Sequence, residues 1–440
     1  MLFYRAFRAV FALALKLFYR LEPVRDPHGG LTLDGPVIFV GNHPNALVDP
    51  GLVFVSTRRH VTFLAKEPLF KMPVLGTMLR AMKALPVFRR QDNVGDMTKN
   101  DSTLTASVEA LKQGRAITIF PEGKSHSEPQ LSALKTGCAR IALEALRQGA
   151  PVKIVPIGLN YMQKDLFRSH AQVDVGTLVD PARFVPHEGD DPRESARKLT
   201  EAIADGLRAV TLNLQKWEDL PLLQTAESLY ALKVGSRAPD GERLRAFARG
   251  MHLLRDEQPE RFETLKSEVL AFANRLSLVD VKAEELTYAY RPATVAWFVL
   301  RNVLWLFGLP LIALGMALFA IPYWIPISVV KLTRPEVDTE ATVKVLTLLV
   351  LGPLWWALLT GLAWVTLGPA AGLMVAVGTL PLALFTRVFL ERRASALRDI
   401  RLFLVLGSRR RLKDRLVAEG EAIAAHLETV AEELRPRVAG

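Results

Sequence analysis

Cysteine is almost missing: Cys138 is the only one in 440 residues. A single thiol excludes an intramolecular disulfide and any metal site built on paired cysteines. Cys138 falls in a helical pattern and reads as a small buried residue. Internal repeats and low-complexity tracts are absent, which excludes solenoids and disordered tails. Acidic residues are in deficit, 45 against 56 lysines and arginines, for a net charge of +11. That balance points to anionic partners: a membrane surface, a phosphorylated substrate or nucleic acid. No nucleic-acid module is present, so no nucleic-acid partner is expected. Charge itself vanishes over residues 302–330 and again over 345–386. A span needs about 20 apolar residues, so these runs read as membrane segments.

The length accommodates two to three domains. Residues 1–24 read as an amphipathic interfacial helix. Their apolar core, residues 9–15, is short for a signal peptide. Arg5, Arg8, Lys16 and Arg20 share an arc of about 120° on a helical wheel, and Phe3, Phe7, Phe11, Leu17 and Phe18 lie opposite. Such a helix suits an anionic lipid surface; the alternative is packing on the protein's own core. Residues 25–217 alternate β-runs (31–33, 37–40, 61–65, 85–88, 117–120, 153–159, 173–176) with helical patterns (97–113, 131–148, 192–217). Asp34-Gly35 reads as a turn between the first two runs. The alternation predicts an α/β domain: a mixed, largely parallel sheet flanked by helices. Residues 218–290 read as a helical subdomain or arm broken at Pro259.

Residues 291–390 form the membrane region and 391–440 a basic cytoplasmic helical tail, with an amphipathic cap or interaction helix over 412–435. The second charge-free run holds two spans broken at Gly368-Pro369. The first carries Pro310, Pro322 and Pro326, which predicts a kinked span or a re-entrant hairpin. Arg387, Arg392, Arg393, Arg398 and Arg401 follow the last span, so that end is expected in the cytoplasm. The α/β domain, without an export signal, is expected there too. Both ends on one side require an even number of crossings, with 302–330 returning to its own face or crossing twice with 296–301. The expected location is an integral membrane position, the cytoplasmic membrane in a bacterial cell.

Four stretches at β-run ends carry chemistry. The first is Gly41-Asn42-His43-Pro44, with Asp49 following. A helix turns about 100° per residue, so six positions misalign two side chains by roughly 120°. His43 must therefore sit in the turn, with Asp49 reaching back from the next helix to form a general base and its orienting partner. The second places Arg89 and Arg90 directly after a strand, where guanidinium forks suit a phosphate. The third is Phe120-Pro121-Glu122-Gly123-Lys124-Ser125-His126. The fourth is Val155-Pro156-Ile157-Gly158, followed by Phe167-Arg168-Ser169. His43, Asp49, Glu122 and His126 form a conceivable cation set, but Lys124 and Arg89 oppose it, and no metal is expected. His126 reads as a pocket wall.

In this order the four blocks resemble those of the glycerol-phosphate acyltransferase superfamily. The nearer resemblance is to fungal-type glycerol-3-phosphate/dihydroxyacetone-phosphate acyltransferases, carried by His43…Asp49-Pro50, Arg89-Arg90-Gln91-Asp92, Glu122-Gly123-Lys124-Ser125-His126 and Leu134-Lys135-Thr136-Gly137. Lys124 and Ser125 depart from the Thr-Arg of lysophosphatidate-type enzymes. The resemblance implies the acyltransferase fold and a membrane-bound O-acyltransferase of phospholipid biosynthesis. His43 would deprotonate a glycerol hydroxyl that attacks an acyl thioester, with Asp49 fixing the imidazole. Arg89, with Arg90, Lys124 and Arg168 in support, would bind the acceptor phosphate; Glu122, Gly123 and Ser125 would shape its pocket. No cofactor is implied beyond the co-substrate, acyl-CoA or acyl-acyl carrier protein. The partners are that donor, a glycerol phosphate or lysophospholipid acceptor, and anionic membrane lipid. The alternatives are a 1-acylglycerol-3-phosphate or other lysophospholipid acyltransferase, a thioesterase, or a non-catalytic membrane scaffold or transporter with a degenerate domain.

Overall fold

Short runs of β-branched and aromatic residues give seven strands: β1 (Arg20–Leu21), β2 (Val37–Gly41), β3 (Val61–Lys66), β4 (Leu85–Val87), β5 (Ala116–Ile119), β6 (Lys153–Tyr161) and β7 (His170–Val175). They form one sheet in the order β1-β7-β6-β2-β5-β3-β4. Every pair is parallel except β6–β7. The mixed, largely parallel α/β sheet expected from the sequence is therefore present. The computed structural model describes residues 2–71, 73–87, 98–233, 241–287, 292–407 and 410–438.

The central strand β2 is buried at all positions, as a parallel strand covered on both faces must be. Its alternation splits between two cores. Val37 and Phe39 join Phe11, Leu15, Phe18 and Phe54 on one face; Ile38 and Val40 join Leu111, Ile141 and Leu199 on the other. The first face is covered by α1 (Leu2–Phe18) and α2 (Val48–Ser56). Then come α3 (Glu67–Lys71) and α4 (Pro73–Ala81), and the second face is covered by α5 (Thr98–Lys112), α6 (Gly137–Arg147) and α7 (Pro192–Val210).

Several expectations are corrected. The 31–33 run is not a strand but a 3-10 turn, Gly30–Thr32. Asp26 accepts the N–H groups of Gly30 and Leu31 at 2.7 and 2.9 Å, which withdraws both donors from any ladder. The N-terminal helix does not offer its aromatic face to lipid. Phe11, Leu15 and Phe18 are buried, and Phe7 and Phe11 both contact the Phe54 ring of α2. Gly51 permits this approach, since a Cβ there would lie 2.1 Å from the Phe11 ring. Val10 and Leu13 remain exposed on the other side. The helix expected from residue 131 starts at Gly137, because the preceding N–H groups of Leu131, Ser132 and Lys135 bond Asn213, Glu122 and Pro121.

The chain divides into two compact units: Met1–Asn213 with Val329–Leu349, and Leu214–Ser328 with Val350–Gly440. The second contains α8 (Leu220–Lys233), α9 (Gly241–Glu257), α10 (Pro259–Leu278), α11 (Pro292–Leu306), most of α12 (Leu309–Thr333), the later turns of α13 (Val337–Leu367), α14 (Pro369–Leu402) and α15 (Arg410–Val438). The tail helix α15 does not stand free. It packs on α8, α9 and α10, burying Leu416, Ile423, Leu427 and Val430.

Among the described residues three helices, α12, α13 and α14, are long and apolar enough to cross a membrane. The break at Gly368-Pro369 is where it was expected, with Gly368 at φ 94° capping α14. Residues 309–333 are one continuous helix through Pro322 and Pro326, and the charge-free run 302–330 breaks instead at residues 307–308, between α11 and α12. An even set of spanning helices is not found among the described residues: α11, with 15 residues, extends only about 22 Å.

Candidate active site

In the parallel part of the sheet, β2, β5 and β6 end at one edge. Gly41 pairs with Ile157, and Val40 with Ile119. The chain leaving β2 therefore emerges between the blocks that follow β5 and run on in β6. Asn42 extends the ladder by one step with its side chain: its amide donates to the Leu159 carbonyl at 3.1 Å and accepts the Leu159 N–H at 2.7 Å. This amide clamp fixes where His43 leaves the sheet.

His43 Nδ1 lies 2.8 Å from Asp49 Oδ2. Asp49 is fully buried, whereas the His43 side chain keeps 14 % of its surface open. The carboxylate also accepts the Asn45 N–H at 2.6 Å and the Tyr161 hydroxyl at 2.6 Å. Three donors hold a buried carboxylate whose desolvation would otherwise be costly. A carboxylate on Nδ1 selects the tautomer with the proton there, leaving Nε2 as the acceptor. No described residue bonds Nε2. The imidazole also stacks on Phe120, with ring centroids 4.4 Å apart and planes at 20°.

The six-residue spacing is accommodated at Ala46, which takes φ 31°. This left-handed kink turns the chain so that Asp49, in the first turn of α2, faces back to His43. Tyr161 reaches Asp49 because β6 alternates: Val155, Ile157, Leu159 and Tyr161 all lie on the α2 side. Burial and the Asp49 charge push the Tyr161 phenol well above its ordinary pKa. Burial likewise raises that of Tyr19, whose hydroxyl accepts from Asn45 at 2.9 Å.

Glu122 is fully buried at its side chain and does not present a carboxylate to a pocket. Its Oε1 accepts the His43 N–H at 2.7 Å, and its Oε2 accepts the Ser132 N–H at 2.8 Å and bonds His126 Nε2. His126 is thus a partner of Glu122 rather than a bare wall, and its own N–H returns to the His43 carbonyl at 3.1 Å. The four groups considered as a cation set form two separate pairs, and no metal-holding cluster occurs among the described residues. Gly123, at φ 76°, makes the turn after Glu122, and a Cβ there would strike the Lys135 side chain. Lys124 is exposed and Ser125 half-buried in the same loop. The N–H groups of His43, Asn45, Gly123 and His126 are all engaged within the protein. Those of Lys124 and Ser125 have no bonded partner among the described residues.

Arg168 is not at the site's mouth. Its Nη1 donates to the carbonyls of Lys16 and Tyr19 at 2.9 and 2.7 Å, capping the C-terminal end of α1. The basic group that does reach the catalytic turn is Lys164. Its ammonium donates to the Pro44 carbonyl at 2.5 Å and to Ser127 Oγ at 2.7 Å. Burial lowers its pKa. Spacing alone gave no signal for it, because it sits in the β6–β7 connection beyond the fourth block. Arg89 and Arg90 lie outside the described residues. The strand before them, β4, is three strand spacings from β2 in the sheet order, about 14 Å.

Comparison with known proteins places this site in a class. Residues 18–160 match the family profile for Acyltransferase. The matched stretch runs from the end of α1 through most of β6 and contains His43, Asp49 and Glu122. Among curated relatives, glycerol-3-phosphate O-acyltransferase 1 of Saccharomyces cerevisiae is 26 % identical over 294 residues, covering 47 % of this chain and 39 % of its own. Glycerol-3-phosphate O-acyltransferase 2 of the same yeast is 34 % identical over 134 residues, covering 30 % and 18 %. The chloroplastic 1-acyl-sn-glycerol-3-phosphate acyltransferase LPAT1 of Arabidopsis thaliana is 27 % identical over 109 residues, covering 25 % and 29 %. The chain thus spans well under half the length of each. Among solved structures, the 1-acyl-sn-glycerophosphate acyltransferase of Thermotoga maritima matches with a TM-score of 0.35 and 21 % identity, covering 47 % of this chain and 78 % of its own.

Proposed function

We propose that the chain is a membrane-bound glycerol-3-phosphate O-acyltransferase that draws its acyl group from a thioester, acyl-CoA or acyl-acyl carrier protein. The observation that carries the reading is the His43–Asp49 pair, with Nε2 unengaged at the edge of the sheet. His43 Nε2 takes the proton from the glycerol hydroxyl as its oxygen attacks the thioester carbonyl. Asp49, locked by Asn45 and Tyr161, stabilises the imidazolium. That attack forms the ester C–O bond; collapse of the tetrahedral intermediate restores the carbonyl, breaks the C–S bond and returns the proton to the departing thiolate. The N–H groups of Lys124 and Ser125 are the donors assigned to the oxyanion. Arg89 and Arg90 are assigned to the acceptor phosphate, with Lys124 in support.

Similarity to the yeast glycerol-3-phosphate enzymes supports glycerol-3-phosphate as acceptor. A second reading, lysophosphatidate as acceptor, is supported by the chloroplastic relative. Helices of spanning length support a membrane-associated protein, and a basic chain there suits an anionic donor on the cytoplasmic side. The intact His43–Asp49 and Glu122–His126 pairs argue against a degenerate scaffold. The test is CoA release by the purified chain in detergent with a panel of glycerol-3-phosphate, dihydroxyacetone phosphate and lysophosphatidate. Release that depends on glycerol-3-phosphate and yields lysophosphatidate is expected. Release independent of any acceptor would make the protein a thioesterase instead.

A further inference from the structure

The catalytic turn is held from a direction that its own four blocks do not supply. Residues 337–349, the first turns of α13, belong to the same compact unit as the α/β sheet. Ala341 and Val345 are buried in the core cluster shared with Phe39, Val48 and Leu52. From this face Thr342 Oγ1 accepts the Leu47 N–H at 3.0 Å. Leu47 is the N-cap of α2, so its N–H has no partner inside the helix. Two residues further on, the same turn delivers Asp49 to His43. Two residues further along α13, Lys344 bonds Glu340 at 2.6 Å and donates to the Asp165 carbonyl at 2.7 Å. Asp165 adjoins Lys164, whose ammonium donates to the Pro44 carbonyl on the near side of the turn. Pro44 and Leu47 thus bracket the kink at Ala46, one held through Lys164 and the other by Thr342.

We propose that Thr342 is a positioning residue for acyl transfer, and that the start of α13 is a latch that fixes Asp49 against His43. The proposal rests on the acyltransferase reading above. The kink at Ala46 is strained, and a strained turn keeps its shape only when its surroundings over-determine it. Without the Thr342 acceptor the first turn of α2 loosens, Asp49 withdraws, and the imidazolium loses its counter-charge. No contact of Thr342 with substrate is involved.

Thr342→Val keeps the side-chain shape and removes the acceptor; Thr342→Ser keeps the acceptor. In the full chain in nanodiscs, Thr342→Val should lower kcat about 10-fold with both KM values unchanged. The acid limb of the kcat profile should move to lower pH, since a base that loses its carboxylate is less basic. Thr342→Ser should restore both. Amide hydrogen exchange at residues 45–52, followed in the same samples, should quicken in Thr342→Val alone. Wild-type kcat, acid limb and exchange in Thr342→Val would overturn the latch while leaving the acyltransferase reading intact. If the wild type transfers no acyl group, the acyltransferase reading falls, and unchanged exchange in Thr342→Val would then sink the latch on its own.

Discussion

At the scale of single residues, the site is a set of buried polar groups that complete one another. Asp49 accepts from His43, Asn45 and Tyr161 with no exposed surface, so its hydrogen bonding rests on these protein donors rather than on water. Tyr161→Phe removes one donor from a buried carboxylate, which costs about 1–3 kcal/mol. The expected outcome is a lower melting temperature together with roughly 10-fold slower acyl transfer, since the tyrosine holds the group that orients the base. Unaltered kcat in a variant of reduced stability would show that Tyr161 supports the fold alone. The structure also reassigns Glu122. As a clamp on the His43 N–H rather than a wall of the acceptor pocket, it should affect kcat more than the acceptor KM. Glu122→Gln replaces one carboxylate oxygen with an NH2 group, which cannot accept from the His43 or Ser132 N–H, and steady-state kinetics at varied glycerol-3-phosphate will show which parameter moves.

Elements explain which parts of this arrangement were legible in the sequence. Six of the seven strands follow from short apolar runs, because parallel strands covered on both faces must be apolar throughout. His43 in a turn with Asp49 reaching back follows from the spacing and the helix period. The donors behind Asp49 were not legible. Tyr161 becomes visible only once the β2–β6 register is known, and Thr342 lies far along the chain in a different pattern. α1 was misread for a related reason: an amphipathic stripe is the same whether it meets lipid or a sheet, and Phe54 with Gly51 decided the matter. Arg168 was misread because an arginine after a strand suits a phosphate and a helix C-terminus equally. Its bonds to the carbonyls of Lys16 in α1 and of Tyr19 just beyond it predict that Arg168→Ala costs about 1–3 kcal/mol and leaves the acceptor KM unchanged. A large rise in that KM would return Arg168 to the phosphate site.

At the scale of the molecule, one unit holds the His43–Asp49 pair, while the other collects the bundle of α8, α9, α10 and α15 with most of the spanning-length helices. The outward-facing Leu354, Leu358, Leu362 and Trp364 of α13 are an apolar surface of the kind lipid covers. Two buried phenols in the α/β unit make stability fall in alkali. Tyr19 and Tyr161 have folded pKa values raised above the unfolded value, about 10. Below pH 10 both states keep these protons; above it the unfolded chain releases them first, so stability falls. Lys164, lowered by burial, acts oppositely just below its unfolded value. In an alkaline titration, Tyr19 and Tyr161 among the seven tyrosines should ionise only as helical circular dichroism is lost. A complete tyrosinate titration with the fold intact would contradict this burial. The central claim, that His43 is the general base of an acyl transfer, has its most direct test in one comparison: single-turnover transfer from labelled acyl-CoA to glycerol-3-phosphate by the wild type and by His43→Ala. Loss of a general base predicts a rate lower by roughly 10²–10⁴-fold, with acceptor binding retained. Transfer by His43→Ala at the wild-type rate would contradict the account.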